Sequence, residues 1–213
     1  IRRQLGKDYD MTHFSPKYNP WDERVCAVPN GDLFKVIRQG KASVVTDHID
    51  HFTEHGILLK SGKELEADMV VTATGLNLQM FGGMAVTVDG KAIEIGKTMN
   101  YKGAMFRDVP NLAMTFGYTN ASWTLKADLT SEFVCRLLNT MDKKGLKQCT
   151  PRNSDPSVVE ESFLNLASGY IQRAAANLPK QGNKSPWKLY QNYALDMAML
   201  RFGSVDDGVM VFS

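Results

Sequence analysis

Apolar and polar positions along the chain predict one long helix, several short strands and a set of minor helices. The strongest periodic signal runs from about Ala121 to Lys144, where Leu125, Leu129, Phe133, Leu137 and Met141 share one face and Val134 and Leu138 lie beside them. Lys143 and Lys144 sit where the helix dipole favours cations, and Gly145 is a natural stop. Two short apolar runs without alternation, Met69–Ala73 and Leu112–Phe116, read as strands buried on both faces, as in a parallel sheet. Ala42–Thr46, Ile49–Phe52 and Ile57–Lys60 read as further strands, with turn signals at Glu54-His55-Gly56 and Ser61-Gly62-Lys63. Ala85–Val88 and Lys91–Ile95 suit a hairpin across Asp89-Gly90.

The minor helices are less marked. Asn30 can cap a helix over Gly31–Arg38, with Leu33, Phe34 and Ile37 on one face and Gly40 stopping it. Asp155–Leu164 and Ser168–Asn177 read as short helices, and Ser185-Pro186 opens another that runs to about Leu200. Residues 1–29 form an irregular connector broken by Pro16, Pro20 and Pro29.

Composition narrows the class. The chain has 213 residues, 43% apolar and 23% charged, enough for a core without disulfides or metals. A net charge of +2 is too small to suggest nucleic acid or a membrane surface as partner. Cys26, Cys135 and Cys149 are odd in number and widely spaced, which suits free thiols in a reducing, cytoplasmic setting. No apolar run approaches the roughly 18–20 residues of a membrane span, and no signal peptide is expected. The chain opens at Ile1-Arg2-Arg3-Gln4, which suggests a piece of a longer protein.

Candidate chemistry is sparse. Neither GxGxxG nor GxxxxGK[ST] occurs, so any phosphate-gripping loop must lie elsewhere. Asp68–Gly75 is an acid-led apolar run leaving through small residues. It fits either a core strand with a turn or a strand end that lets backbone approach a ligand. Gly117–Thr124 precedes the long helix, whose first amides could stabilise negative charge. The plainer alternative has Asn120 capping the helix and Trp123 in the core. His48, His51 and His55 lie in strand-and-turn pattern, so His48 and His51 point to opposite faces and a metal site is disfavoured.

Several stretches resemble class B flavoprotein monooxygenases, the Baeyer–Villiger and flavin-containing type, and most of all the ethionamide-activating group. They are THFSPKYNPWDERVCAVPNGDLF at 12–34, DMVVTATGLN at 68–77, FGG at 81–83, YKG at 101–103 and VPNLAMTFGYTNASWTLKADLTSEFVCRLLNTMD at 109–142, with LPKQG at 178–182 and SPWKLYQNY at 185–193. The resemblance implies an α/β protein that forms an incomplete FAD/NAD(P)-binding domain. It would have a β-meander, a buried parallel-type sheet remnant, a long helix and a helical C-terminal tail. It places the end of an NADPH-domain insertion at 1–40, the C-terminal part of the FAD-binding domain at 41–150 and a helical extension at 151–213.

The same resemblance implies FAD and NADPH as cofactors, and a peroxyflavin that oxygenates a ketone or a sulfur compound. Ala73-Thr74-Gly75 resembles the link back into the FAD domain, so Thr74 and Gly75 approach the cofactor. Asn120, Ala121, Ser122, Trp123, Thr124 and Leu125 resemble the helix start facing the flavin, and Arg3 lies where the family places a basic residue for the NADPH phosphate. The glycine motifs, the FxGxxxHxxxW fingerprint and the catalytic arginine would precede Ile1, leaving no catalytic residue in this chain. Gly117 is followed by Tyr118, where many two-dinucleotide flavoproteins have Asp. The chain alone is therefore expected to be inactive, to hold FAD weakly or not at all, and to self-associate through exposed sheet. The alternatives are a non-catalytic binding or scaffold module derived from that family and, far less favoured, a metal-dependent hydrolase using the three histidines.

Overall fold

The computed structural model describes residues 1–19, 26–166 and 168–213, in two compact units, Ile1–Gly75 and Leu76–Ser213. The break expected at Pro20 lies outside the described residues.

The first unit holds helix α1 (Arg2–Leu5), a 3-10 turn at Met11–Phe14 and helix α2 (Asp32–Arg38). Gly31 rather than Asn30 stands at the α2 N-cap, in the left-handed conformation. Phe34 packs on Phe14, ring centroids 5.9 Å apart. Strands β1 (Ile49–Phe52), β2 (Gly56–Leu59) and β3 (Glu64–Glu66) form an antiparallel meander. The charged Glu-Leu-Glu of β3 hides it from a reading based on apolar runs. Ala42–Thr46 is not a strand.

Met69–Ala73 is not a strand either, and it is not buried. Met69 is 81% and Val71 80% exposed. An apolar run without alternation needs neighbours on both edges and cover on both faces, and no described strand pairs with this one. The expected parallel-type sheet is thus absent among the described residues: every ladder between strands is antiparallel, and the one parallel pairing is an isolated bridge from Met99 to Lys180.

In the second unit, β4 (Thr87–Val88) and β5 (Lys91–Ala92) form the expected hairpin, with Asp89 and Gly90 both at positive φ as its turn requires. β6 (Asn100–Tyr101) and β7 (Met105–Phe106) form a second, around Lys102-Gly103. Leu112–Phe116 is not a ladder strand: its backbone meets Met105 through an isolated bridge at Ala113. Helix α3 (Trp123–Lys144) follows, ending at left-handed Gly145. Its buried stripe is Leu129, Phe133, Leu137 and Met141, while Leu125 and Leu138 are exposed.

After α3 the chain is less helical than its pattern suggests. β8 (Cys149–Pro151) pairs with β11 (Met210–Phe212), and β9 (Glu160–Ser162) with β10 (Lys180–Gly182). Within the expected helix at Asp155–Leu164, the Asp155 carboxylate instead accepts from the amide and hydroxyl of Ser157, at 2.9 and 2.7 Å. Such local bonding competes with helix formation. Helix α4 (Gly169–Ala174) matches the Ser168–Asn177 expectation in shorter form. Residues 185–187 form a turn, and helix α5 (Tyr193–Met197) starts only at Asn192, whose side chain caps it, before passing into a π-helical turn at Ala198–Phe202.

Two apolar clusters fill this unit. One sets the α3 stripe against Met99, Tyr101, Met105, Trp187, Leu200 and Met210. The other joins Phe106, Val109, Phe116, Phe163, Ile171 and Leu178. Phe116 meets Phe106 and Phe163 edge-on at 5.6 and 4.7 Å, a favoured geometry for aromatic rings. The result is a mixed α/β arrangement of small antiparallel sheets and one long helix.

Candidate functional site

The approach to α3 is a short exposed segment held from below. Phe116 and Tyr118 are buried, and the residues from Asn120 to Leu125 are exposed. Ser122 is the N-cap: its hydroxyl oxygen accepts from the Thr124 amide at 3.3 Å and lies 2.7 Å from the Thr124 hydroxyl. This corrects the reading that Asn120 caps the helix; the Asn120 side chain donates instead to the Gln191 carbonyl at 3.3 Å. Trp123 is not a core residue, being 55% exposed. Its indole lies against Gly117, where an added Cβ would fall 2.0 Å from the ring.

Below this opening are two buried sets of lysine, aspartate and tyrosine. Lys126, 1% exposed, pairs with Asp196 on α5 at 3.0 Å, and the Tyr118 hydroxyl donates to the same carboxylate oxygen at 2.7 Å. Lys102 pairs with Asp207 at 2.8 Å and donates to the Ser204 carbonyl at 2.9 Å, while Tyr101 donates to Asp207 at 2.6 Å. Lys102 also lies over the Tyr101 and Phe133 rings, 5.1 and 5.5 Å from their centroids. Gly103 is fixed by its surroundings twice over. Its φ is +63°, and a Cβ there would fall 2.9 Å from the Lys126 Nζ.

These environments shift protons in definite directions. Burial pushes the Lys126 ammonium below its usual value, against the opposing pull of Asp196. Burial, reinforced by the neighbouring carboxylates Asp207 and Asp196, pushes the Tyr101 and Tyr118 phenols up. For Asp207 burial acts upward, but bonds from Lys102 and Tyr101 outweigh it and the carboxyl lies below its usual value. The sets are interior and mutually satisfied, so their work is positional. What the surface offers a ligand is the first-turn amides of α3, the Ser122 and Thr124 hydroxyls and an exposed indole face.

The expected site residues fall into three places. Asn120, Ala121, Ser122, Trp123, Thr124 and Leu125 form one continuous exposed opening in the second unit. Thr74 and Gly75 end the first unit, exposed, with Gly75 at φ +102°, and Arg3 is exposed on α1. His51 lies in β1 beside Asp50, with Nδ1 2.8 Å from its carboxylate. Among the described residues, no three His, Cys, Asp or Glu side chains could together hold a metal.

Against curated proteins, the chain is 54% identical over 214 residues to the FAD-containing monooxygenase EthA of Mycobacterium tuberculosis, covering 100% of this chain and 44% of that protein. It is 53% identical over 213 residues to EthA of Mycolicibacterium smegmatis, with 100% and 43% covered. It is 52% identical over 213 residues to the probable FAD-binding monooxygenase AlmA of Acinetobacter baylyi, again with 100% and 43% covered. Over its whole length the chain is thus similar to FAD-containing monooxygenases. It spans less than half the length of these curated relatives. No family model and no solved structure matches it.

Among the described residues no helix is long and apolar enough to cross a membrane. Cys149 is buried, and burial pushes its thiol up, the wrong direction for a reactive thiolate. The residues that sequence reasoning missed are Lys126, Asp196 and Asp207. One signal was available: Lys126 is in register with Leu129, Phe133 and Leu137 on the apolar stripe, and a charge there needs a buried partner.

Proposed function

We infer that this chain is the C-terminal part of an FAD- and NADPH-dependent monooxygenase that inserts oxygen beside a ketone carbonyl or oxidises a sulfur compound. The observation carrying this reading is identity of 54% over the whole chain with an FAD-containing monooxygenase. The exposed opening at Asn120–Leu125 supports it, since hydrogen-bond donors and a helix N-terminus suit an electron-rich ring edge. When bound, FAD supplies the redox chemistry that activates oxygen. This chain's residues would orient it: Asn120, Ala121, Ser122, Thr124 and Leu125 at the ring edge, Trp123 alongside, and Thr74 and Gly75 where the backbone comes close. Arg3 would meet the phosphate that distinguishes NADPH.

The chain alone has no glycine-rich phosphate loop, so it is inactive and holds FAD weakly at most. Exposed Met69, Val70 and Val71 provide a surface for self-association into a dimer or larger species. Expression of the complete reading frame, followed by NADPH oxidation assays with a panel of ketones and sulfides, tests the activity. Substrate-dependent NADPH consumption is expected; a product without flavin would favour the second reading, a binding module that kept the family's fold and lost its chemistry.

A further inference from the structure

The opening at Thr119–Leu125 is tied to the C-terminal part of the chain by one residue in an unusual conformation. Gln191 has φ +50°, a left-handed backbone that is unfavourable for a non-glycine residue and persists only where its surroundings fix it. Its side-chain oxygen accepts from the Thr119 amide at 2.8 Å and from the Thr119 hydroxyl at 3.2 Å. Because a backbone N–H can only donate, the oxygen and not the amide nitrogen must face Thr119. Its main-chain carbonyl accepts from the Asn120 side chain at 3.3 Å. Three bonds from one residue therefore reach the two residues just before Ala121.

Gln191 is itself held from both sides. Two residues before it, the Leu189 amide donates to the Gln181 side chain at 2.9 Å. One residue after it, Asn192 caps α5 by accepting from the Leu195 amide at 3.1 Å. On that same helix, Asp196 binds Tyr118 and Lys126, which flank the opening on its two sides. The strain at Gln191 is thus maintained by anchors on the very segments it joins.

We propose that Gln191 is a positioning residue that sets the Thr119–Leu125 opening against the flavin ring. The proposal rests on the flavin-facing reading of that opening, and its test separates the two. Hydrogen exchange on this chain compares wild type with Gln191→Met, which keeps length and loses the acceptor. It also includes Gln191→Glu, which keeps an acceptor oxygen, and Gln191→Gly, which relieves the backbone strain but lacks the two side-chain bonds. Loss of bonds of this kind is expected to speed exchange at Thr119–Leu125 by about tenfold in Gln191→Met and Gln191→Gly, with Gln191→Glu close to wild type and the Leu129–Leu137 amides unchanged. Unchanged exchange at Thr119–Leu125 in Gln191→Met, or equal loosening throughout α3, overturns the proposal.

The second arm uses the product of the complete reading frame. Gln191→Met should alter the visible flavin spectrum and lower kcat more than it raises KM for NADPH, and Gln191→Glu should restore both. A local loosening of the opening with an unaltered flavin spectrum and kcat overturns the positioning role. A wild-type product that binds no flavin overturns instead the reading on which the proposal rests.

Discussion

Met69–Gly75 and Leu112–Asn120 look alike in sequence: each is a short apolar run that leaves through small or polar residues past a glycine. Their fates differ. Met69 and Val71 are almost fully exposed and pair with no described strand. Phe116 and Tyr118 are buried, one among Phe106 and Phe163, the other on Asp196. Hydrophobicity alone therefore does not make a core element. The second run has partners supplied by α3, α5 and the second aromatic cluster, whereas the first has none among the described residues.

The sharpest way to break this comparison is to remove the support beneath the second segment. Asp196→Ala leaves the Lys126 charge buried without its carboxylate, and urea unfolding should show a loss of about 3–5 kcal/mol. Replacing both partners by apolar residues, Lys126→Met with Asp196→Leu, should recover much of that loss. Gly103→Ala comes next. It forces an alanine to φ +63° against the Lys126 amine, with an expected cost of about 1–3 kcal/mol.

A smaller effect appears with pH. Tyr101 keeps its proton above the ordinary phenol value of 10.0 in the folded chain. The unfolded chain binds fewer protons above that value, so the stability from this group is complete below it and declines as pH rises further, by up to about 1.4 kcal/mol per pH unit. Lys126 works in the opposite sense, since its lowered value means that its share of stability improves as pH rises toward 10.5. Chemical unfolding of Tyr101→Phe against wild type isolates the phenol: the alkaline decline should be shallower in the variant. The smallest change is expected in the first segment. Val71→Lys, at an 80% exposed position, should shift unfolding by no more than about 0.5 kcal/mol while reducing self-association on sizing.

The long helix, the Asp89-Gly90 hairpin and the β1–β2 pair were legible because their signals are local: a repeating apolar face, turn residues and short apolar strands. The Gly145 stop was legible for the same reason. What misled were segments decided by distant partners. Asp155 spends its carboxylate on Ser157 rather than a helix N-terminus, and the Ser185-Pro186 signal gives a turn near Gly182 and Trp187 rather than a helix. Ser122 rather than Asn120 caps α3, because Asn120 is drawn to Gln191, a residue 71 positions away that no local pattern reveals. The place of Lys126 on the apolar stripe signalled a buried charge, but its partner Asp196 and the Lys102–Asp207 pair had no local signal.

The central claim is that the opening at Asn120–Leu125 faces a flavin. It is tested most directly by the visible spectrum of the purified product of the complete reading frame, for wild type and for Trp123→Ala. The account predicts co-purifying FAD in the wild type and a displaced flavin band in the variant. A colourless wild-type protein, or a flavin spectrum indifferent to loss of the Trp123 indole, would contradict it.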